Sequence, residues 1–117
     1  MRIRLQPVYR ITVYVPPTHL EDVLAAAEEA APMQLGRYEG VAHWSAEGTE
    51  RFRPMAGAAP TVGTPGVESR VPTVLLEIAI PRADDLLERV LEAVGAAHPW
   101  EEPAIFVDES RTPAQPS

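Results

Sequence analysis

The sequence contains no cysteine, which excludes disulfide bonds, thiolate nucleophiles and thiolate metal ligands. Basic residues are few: 10 Lys and Arg stand against 17 Asp and Glu, so the formal net charge is -7. A surface of this sign repels nucleic-acid phosphates and anionic lipid headgroups. We therefore expect neither nucleic acid nor a membrane surface as a partner.

Long hydrophobic runs are also missing. No stretch approaches the length that crosses a bilayer, and the basic opening Met1 to Pro7 is not followed by the apolar segment of a signal peptide. We expect a cytoplasmic protein. With 117 residues, of which 45% are hydrophobic, the chain has the size and composition of one globular domain. We place this domain at residues 1–107, with an inserted hairpin and loop at about 46–70 and a flexible tail at 108–117.

Two strand-helix units follow one another in the chain. Alternating apolar residues predict one strand at Val8 to Val15 and another at Val74 to Ile80, and proline follows each of them. An apolar stripe at helical spacing comes next in both cases, with Val23 in the first helix and Val90 at the matching position of the second. The chain therefore carries an internal repeat of strand, proline and helix.

Each predicted helix begins with the spacing of a capping box. Thr18 and Glu21 are three residues apart at the first helix, and Asp85 and Glu88 are three apart at the second. We expect the first helix to end at about Ala31, before a proline.

Each helix must return the chain to the sheet. Two segments, Tyr38 to Ser45 and Ala104 to Val107, predict the returning strands. Two such βαβ units interleave as an α+β ferredoxin-like fold, a four-stranded antiparallel sheet with both helices on one face. The other face then exposes Tyr14, Leu75 and Ala79. Exposed apolar sheet is usually buried by association, so we expect a closed homo-oligomer.

The two halves are separated by a segment rich in glycine and proline, from Gly48 to Gly66. Such a composition excludes regular helix and disfavours strand. We predict a short hairpin around Glu47 and Gly48, followed by an ordered loop.

The segment His98-Pro99-Trp100-Glu101-Glu102-Pro103 joins the second helix to the last strand and carries most of the reactive side chains. An imidazole beside carboxylates suits divalent-metal binding or acid-base catalysis. The structural alternative is that the prolines fix the backbone, Trp100 packs at an oligomer interface, and the carboxylates bind amides or arginines. We favour this alternative, because a catalytic metal normally has about three protein ligands.

His43 lies on the predicted second strand and is a candidate to approach His98 within the sheet or across subunits. The metal-site hypothesis therefore uses His43, His98 and Glu101, with Glu102 as a further candidate. A lone strand histidine is, however, more often a surface or interface residue. His19, at the start of the first helix, is interpreted as a solvent-facing residue.

The loop after Phe52-Arg53-Pro54 has glycines that would let backbone amides approach an anion, with Arg53 adding charge. Its spacing matches neither a P-loop nor a dinucleotide fingerprint. A turn-rich structural loop is the alternative that we favour.

Taken together, these residues resemble a known family: the small domain found within, or apart from, the YqfO-type dinuclear metal proteins often labelled type-two GTP cyclohydrolase I. The resemblance covers about Val8 to Val107. Its carriers are Tyr14-Val15-Pro16, His19-Leu20, Val23, Gly36-x-Tyr38, Ser45-x-x-Gly48, Phe52-Arg53-Pro54, Gly57-x-x-Pro60-x-x-Gly63-x-x-Gly66 and His98-Pro99-Trp100-Glu101-Glu102-Pro103-Ala104.

The closing motif is also similar to that of the CutA proteins, ferredoxin-like trimers related in architecture to PII signalling proteins. This resemblance implies a trimer. In the long YqfO-type proteins the metal pair is held by two flanking segments that have no counterpart in this sequence, so the resemblance does not imply cyclohydrolase activity. Three positions depart from the family: Trp100 replaces a usual tyrosine, Ala59 a usual asparagine, and Glu50 a common glycine.

These observations favour a non-catalytic, homo-oligomeric binding or regulatory module over an enzyme. We expect it to bind an unidentified small ligand, ion or protein at subunit clefts between the loop and the closing motif. The candidate ligand-binding residues are Arg53, Pro54, Gly57, Pro60, Gly63, Gly66, His98, Trp100, Glu101 and Glu102. The alternative is a metal-binding protein or metal-dependent hydrolase that uses His43, His98 and Glu101, with a divalent ion as its cofactor. A third possibility is an assembly domain in which these residues serve only folding and subunit contacts.

Overall fold

A computed structural model describes residues 3–114. Five strands, two α-helices and one short 3₁₀ turn at Pro17–His19 make up the fold. The elements are β1 (Leu5–Val15), α1 (Leu20–Ala30), β2 (Ala42–Trp44), β3 (Gly48–Phe52), β4 (Ser69–Pro81), α2 (Asp84–Ala97) and β5 (Ile105–Pro113).

The strands form one antiparallel sheet in the order β2-β4-β1-β5, and β3 pairs with the first half of β4. β4 lies beside β1 with Val13 opposite Leu76, and β5 lies on the other side of β1 with Val13 opposite Ile105. The first strands of the two βαβ units are thus central neighbours. The α+β, ferredoxin-like arrangement predicted from the repeat is confirmed, with β3 as a fifth strand.

The core lies between this sheet and the two helices. One face of β1 and β4 is fully buried because their side chains alternate between the two faces of the sheet. The helices contribute Val23, Ala27, Val90 and Val94, all at 0% exposure. Val23 and Val90, and likewise Ala27 and Val94, occupy matching positions of the two repeats. The internal repeat of the sequence therefore places matching residues of the two helices in the core. Leu91, the residue after Val90 in α2, is only partly buried.

The predicted capping boxes are wrong. Neither helix has a side-chain hydrogen bond at its N-cap, because α1 begins at Leu20 after the 3₁₀ turn and α2 begins at Asp84. Two acidic residues occupy the first turn of each helix instead, where carboxylates interact favourably with the helix dipole. At α2, the Tyr9 hydroxyl also donates a 2.5 Å hydrogen bond to Asp84 Oδ1, which ties the helix start to β1.

The predicted hairpin around Glu47 and Gly48 is also wrong. β2 and β3 do not pair with each other; both pair with β4, which is 13 residues long and has room for them one after the other. At the junction, Ser45 is bonded to both backbone groups of Leu75. The hairpin of the insert is formed by β3 and β4, and the loop at residues 53–68 connects them.

The tail predicted at residues 108–117 is corrected as well, because β5 continues to Pro113. Its polar residues pair in register with β1 as far as Leu5 opposite Pro113. Backbone hydrogen bonds form the ladder whatever the side chains are, so a polar sequence at a sheet edge still forms a strand. Residues 115–117 of the predicted tail lie outside the described residues.

The second sheet face has no helix on it among the described residues. Tyr14, Leu75 and Ala79 lie on this face and are partly buried. Phe106 of β5 is 57% exposed, and its ring meets that of Tyr14 edge-on at a centroid distance of 6.2 Å. Arg10 and Glu77 form an ion pair across β1 and β4 on the same face. The face is thus a mixture of apolar and paired charged side chains.

Candidate ligand-binding site

The loop at residues 53–68 and the closing motif at residues 98–103 are far apart in the sequence. They contact each other in the folded chain. The Ala59 N–H donates to both carboxylate oxygens of Glu101 at 3.2 and 3.1 Å. The Thr61 hydroxyl donates to the Pro99 carbonyl at 2.8 Å. The rings of Phe52 and Trp100 contact each other at a centroid distance of 5.8 Å. These contacts hold the loop against the motif within one chain.

A cavity of about 290 Å³ lies between the two segments. This volume is just below the range of about 300–1,000 Å³ that is typical of small-molecule sites. Its walls combine aromatic and aliphatic side chains with a few charged ones. The lining residues are Glu50, Phe52, Arg53, Pro54, Met55, Ala58, Pro60, Thr61, Val62, Trp100, Glu101 and Glu102.

His98 lies behind this cavity and is buried, with 6% of its surface exposed. Its Nε2 is 2.8 Å from the Tyr14 carbonyl oxygen, and the Trp100 N–H donates to its Nδ1 at 3.2 Å. The two bonds assign the proton to Nε2, because Nδ1 must accept. The Tyr14 N–H donates to the Ala104 carbonyl just before β5 begins, and the His98 ring takes the place of a strand partner for the Tyr14 carbonyl. His98 thus closes the edge of the sheet and orients Trp100.

The environment of His98 favours the neutral ring. Burial lowers the pKa of His98, the hydrogen bond with the Tyr14 carbonyl opposes this shift, and the nearby charge of His19 adds to it. Both ring nitrogens are already bonded, so His98 has no free lone pair for a metal ion or a substrate proton.

Glu50 has the least satisfied polar group of the site. It lies on β3 opposite Val71, and its Oε1 is buried with no hydrogen-bond partner among residues 3–114. Burial raises the pKa of Glu50, and a hydrogen bond with the buried Thr73 on the neighbouring strand opposes the rise. Phe52 is two residues further along β3 and therefore projects from the same face. A carboxylate and an aromatic ring thus stand side by side in the cavity wall.

Six of the ten candidate ligand-binding residues line the cavity: Arg53, Pro54, Pro60, Trp100, Glu101 and Glu102. The glycines do not. Gly57, Gly63 and Gly66 all have positive φ angles, which fits the turn-forming interpretation. Gly63 has a second constraint, since a Cβ there would be 2.8 Å from Ser69 Oγ. The cavity is formed within one chain, whereas we expected the two segments to meet at a cleft between subunits.

The structure does not gather the proposed metal ligands. His43 is exposed on β2 opposite Glu77, whereas Glu101 is bonded to the loop and His98 to the backbone. Within residues 3–114, no group of three or more His, Asp or Glu side chains could hold a metal ion. A single subunit therefore offers no metal centre built from His43, His98 and Glu101.

Sequence reasoning missed several lining residues, of which Glu50 is the most informative. Met55, Ala58, Thr61 and Val62 are unremarkable residues of a loop, and nothing in their spacing marks them. Glu50 carried a signal only as a departure from the glycine that the resemblance implies at this position.

Curated relatives match most of this chain. A Mycobacterium leprae protein named GTP cyclohydrolase 1 type 2 homolog is 41% identical over 95 residues, which are 81% of this chain and 24% of that protein. A Listeria monocytogenes protein of the same name is 37% identical over 102 residues, 87% of this chain and 27% of the relative. The chain is related to one segment of the YqfO/NIF3-like proteins. The resemblance carried by its motifs is confirmed.

Solved structures agree with this relationship. A Bacillus cereus protein related to NIF3 superposes with a TM-score of 0.75 at 32% identity, over 94% of this chain and 27% of that one. The nitrogen regulatory PII-like protein CPII from Thiomonas intermedia K12, bound to ADP, AMP and bicarbonate, has a TM-score of 0.52 at 15% identity, over 93% of this chain and 96% of that one. At this identity the likeness to CPII is one of fold.

The match to the YqfO/NIF3-like proteins is partial on their side. The chain spans about a quarter of the length of the curated relatives it matches. No family model matches the chain. No helix within residues 3–114 is long and apolar enough to span a membrane.

Proposed function

We propose that this chain is a non-catalytic regulatory module that assembles with copies of itself and binds a small ligand in the cavity between the loop at residues 53–68 and the closing motif. The cavity itself carries the proposal. It has aromatic and aliphatic walls, charged groups at defined positions, and a loop held in place by hydrogen bonds to the motif. Such a mixture is typical of small-molecule sites.

The side chains of the cavity support binding rather than catalysis. The one histidine beside it, His98, has both ring nitrogens engaged in backbone contacts. Glu101 is held by the Ala59 amide and is not paired with a base or nucleophile. General acid-base chemistry by a histidine needs a free ring nitrogen within reach of the substrate, and His98 has none.

Relatives of the same fold support a regulatory role. CPII is described as a nitrogen regulatory PII-like protein, and it was solved with ADP, AMP and bicarbonate. A trimer is the assembly that the resemblance to CutA and PII proteins implies, and the uncovered sheet face with Phe106 and Tyr14 offers apolar surface for it. We propose the same type of assembly for this chain.

Thermal unfolding with added ligands tests the binding function. We expect at least one of a panel of adenine nucleotides, bicarbonate and small aromatic cations or acids to stabilise the protein and to remain chemically unchanged. A ligand at one hundred times its Kd adds about 2.7 kcal/mol to the free energy of unfolding. Trp100→Ala should remove the effect, whereas Trp44→Ala, on β2, should retain it. Conversion of a bound ligand into product by the purified protein would contradict the non-catalytic assignment.

A further inference from the structure

The charge of the cavity wall differs from that of an anion site. Three carboxylates line it, those of Glu50, Glu101 and Glu102, against one guanidinium, that of Arg53. Arg53, Glu101 and Glu102 are all exposed, so water screens their charges alike, whereas Glu50 is partly buried and its charge is screened less. The balance of charge at the wall therefore favours a cation.

The loop amides also argue against an anion. Glycine-rich loops bind anions through free backbone N–H groups. Here the Ala59 N–H already donates to Glu101, and the Gly66 N–H donates to the Pro54 carbonyl at 2.8 Å. The protein's own oxygens therefore occupy these donors.

One carboxyl oxygen of Glu50 has no hydrogen-bond donor among the described residues. This oxygen, Oε1, is buried. A buried acceptor that is left unpaired is costly, and a carboxylate forms its strongest bonds with charged N–H donors. Glu50 also lines the cavity, so a ligand with a charged N–H donor there would meet this carboxyl group.

The rings beside Glu50 complete the recognition chemistry. Phe52 and Trp100 are tilted by 49° to each other, and Trp100 is held against the His98 ring at 5.2 Å. Aromatic faces attract cations and pack against flat apolar groups. The rings therefore favour a flat apolar group, the carboxylate favours a cationic nitrogen, and one ligand can carry both.

From these contacts we infer that the cavity binds an organic cation, a flat apolar group carrying an amidinium or ammonium nitrogen that bonds to Glu50. The inference rests on the proposed binding function and specifies its ligand class. It sets this site apart from one that would hold a free phosphate or carboxylate.

Two probes of the same shape and opposite charge test the inference: benzamidine and benzoate, titrated into the full chain by calorimetry. We expect saturable binding of benzamidine and at least tenfold weaker binding of benzoate. Glu50→Gln keeps the size of the side chain and removes its charge, so it should weaken benzamidine binding about tenfold, since charge-assisted bonds are about twice as strong as neutral ones. Glu47→Gln, an exposed change of the same kind just before β3, should leave binding unchanged.

The outcomes separate this inference from the proposed function. Benzoate binding as tightly as benzamidine, with loss of both in Trp100→Ala, would overturn the cation preference and leave the cavity as a binding site. Unchanged benzamidine affinity in Glu50→Gln would also overturn it. If neither probe binds while an adenine nucleotide stabilises the protein through Trp100, the ligand class is wrong and the binding function stands. Absence of any binding would overturn both.

Discussion

His98 illustrates how a residue with catalytic chemistry can serve the fold. Its ring bridges the Tyr14 carbonyl and the Trp100 amide, so it satisfies two backbone groups that a change of chain direction would otherwise leave unpaired. Because the side chain is buried, the protein obtains this bridge only while the ring is neutral. The residue therefore links the integrity of the site to pH.

His98→Ala should lower the free energy of unfolding by about 2–4 kcal/mol at pH 8, because two buried backbone groups lose partners and a cavity forms. The folded pKa lies below the unfolded value of about 6.5, so stability from the neutral ring is full above that value. It is lost as the pH falls through the unfolded value towards the folded pKa. Urea unfolding at pH 8 and pH 5 measures the effect, and the cost of the substitution should be smaller at pH 5.

His43→Ala is the matched control for this experiment. His43 is exposed on β2, so its removal should change stability by no more than about 0.5 kcal/mol at either pH. A cost of His98→Ala that did not decrease at pH 5 would contradict a neutral, buried ring in the native state.

At the scale of elements, the loop at residues 53–68 is a long connection that is held in place by hydrogen bonds to the closing motif. It departs from β3 and returns to β4, yet its hydrogen bonds to Pro99 and Glu101 belong to the segment after α2. Loops of this length with no secondary structure are usually functional or disordered. The tethers explain why this one has a defined conformation.

Thr61→Val tests the tether, since it keeps the shape of the side chain and removes its bond to the Pro99 carbonyl. The loss of one such bond costs about 1 kcal/mol. Hydrogen exchange of the Ala59 amide should therefore become about fivefold faster. Thr64→Val, an exposed change in the same loop, should leave this exchange rate unchanged. Equal rates in the two variants would mean that the Thr61 bond does not hold the loop.

At the scale of the whole molecule, the sheet has two unlike faces. One is covered by both helices, and the other carries Tyr14, Phe106 and the Arg10–Glu77 ion pair with no helix over them in the part of the chain that the structure describes. Exposed apolar surface is generally an interaction site. The proposed assembly would cover it.

Phe106→Asp should weaken this assembly by about 2 kcal/mol, the scale on which an aromatic anchor contributes to an interface. Light scattering across a dilution series measures the change as a shift towards the monomer mass. Val67→Asp introduces the same charge at a 55% exposed residue of the loop and should leave the mass unchanged. A wild-type chain that stays monomeric at the highest concentrations would contradict the proposed self-assembly.

The repeat, the two helices and the central strands follow from the sequence alone, because alternation and helical spacing are local properties that report which face is buried. Val23 and Val90 occupy matching positions of the sequence repeat, and both are fully buried. The predicted helix caps and the predicted end of the last strand are wrong because these features do not depend on the local sequence alone. The choice of the first helical residue and the pairing of polar strand residues depend on what the neighbouring backbone offers.

Only the tertiary structure decides that the cavity forms. Its two walls come from residues 50–62 and 100–102, and the fold of the intervening β4 and α2 determines whether they meet. The sequence identifies both segments and even the unusual glutamate, but not that Glu50 and Trp100 line the same cavity. Packing sets the distances between side chains that are remote in sequence. Composition, charge and periodicity, in contrast, follow from the order of the residues alone.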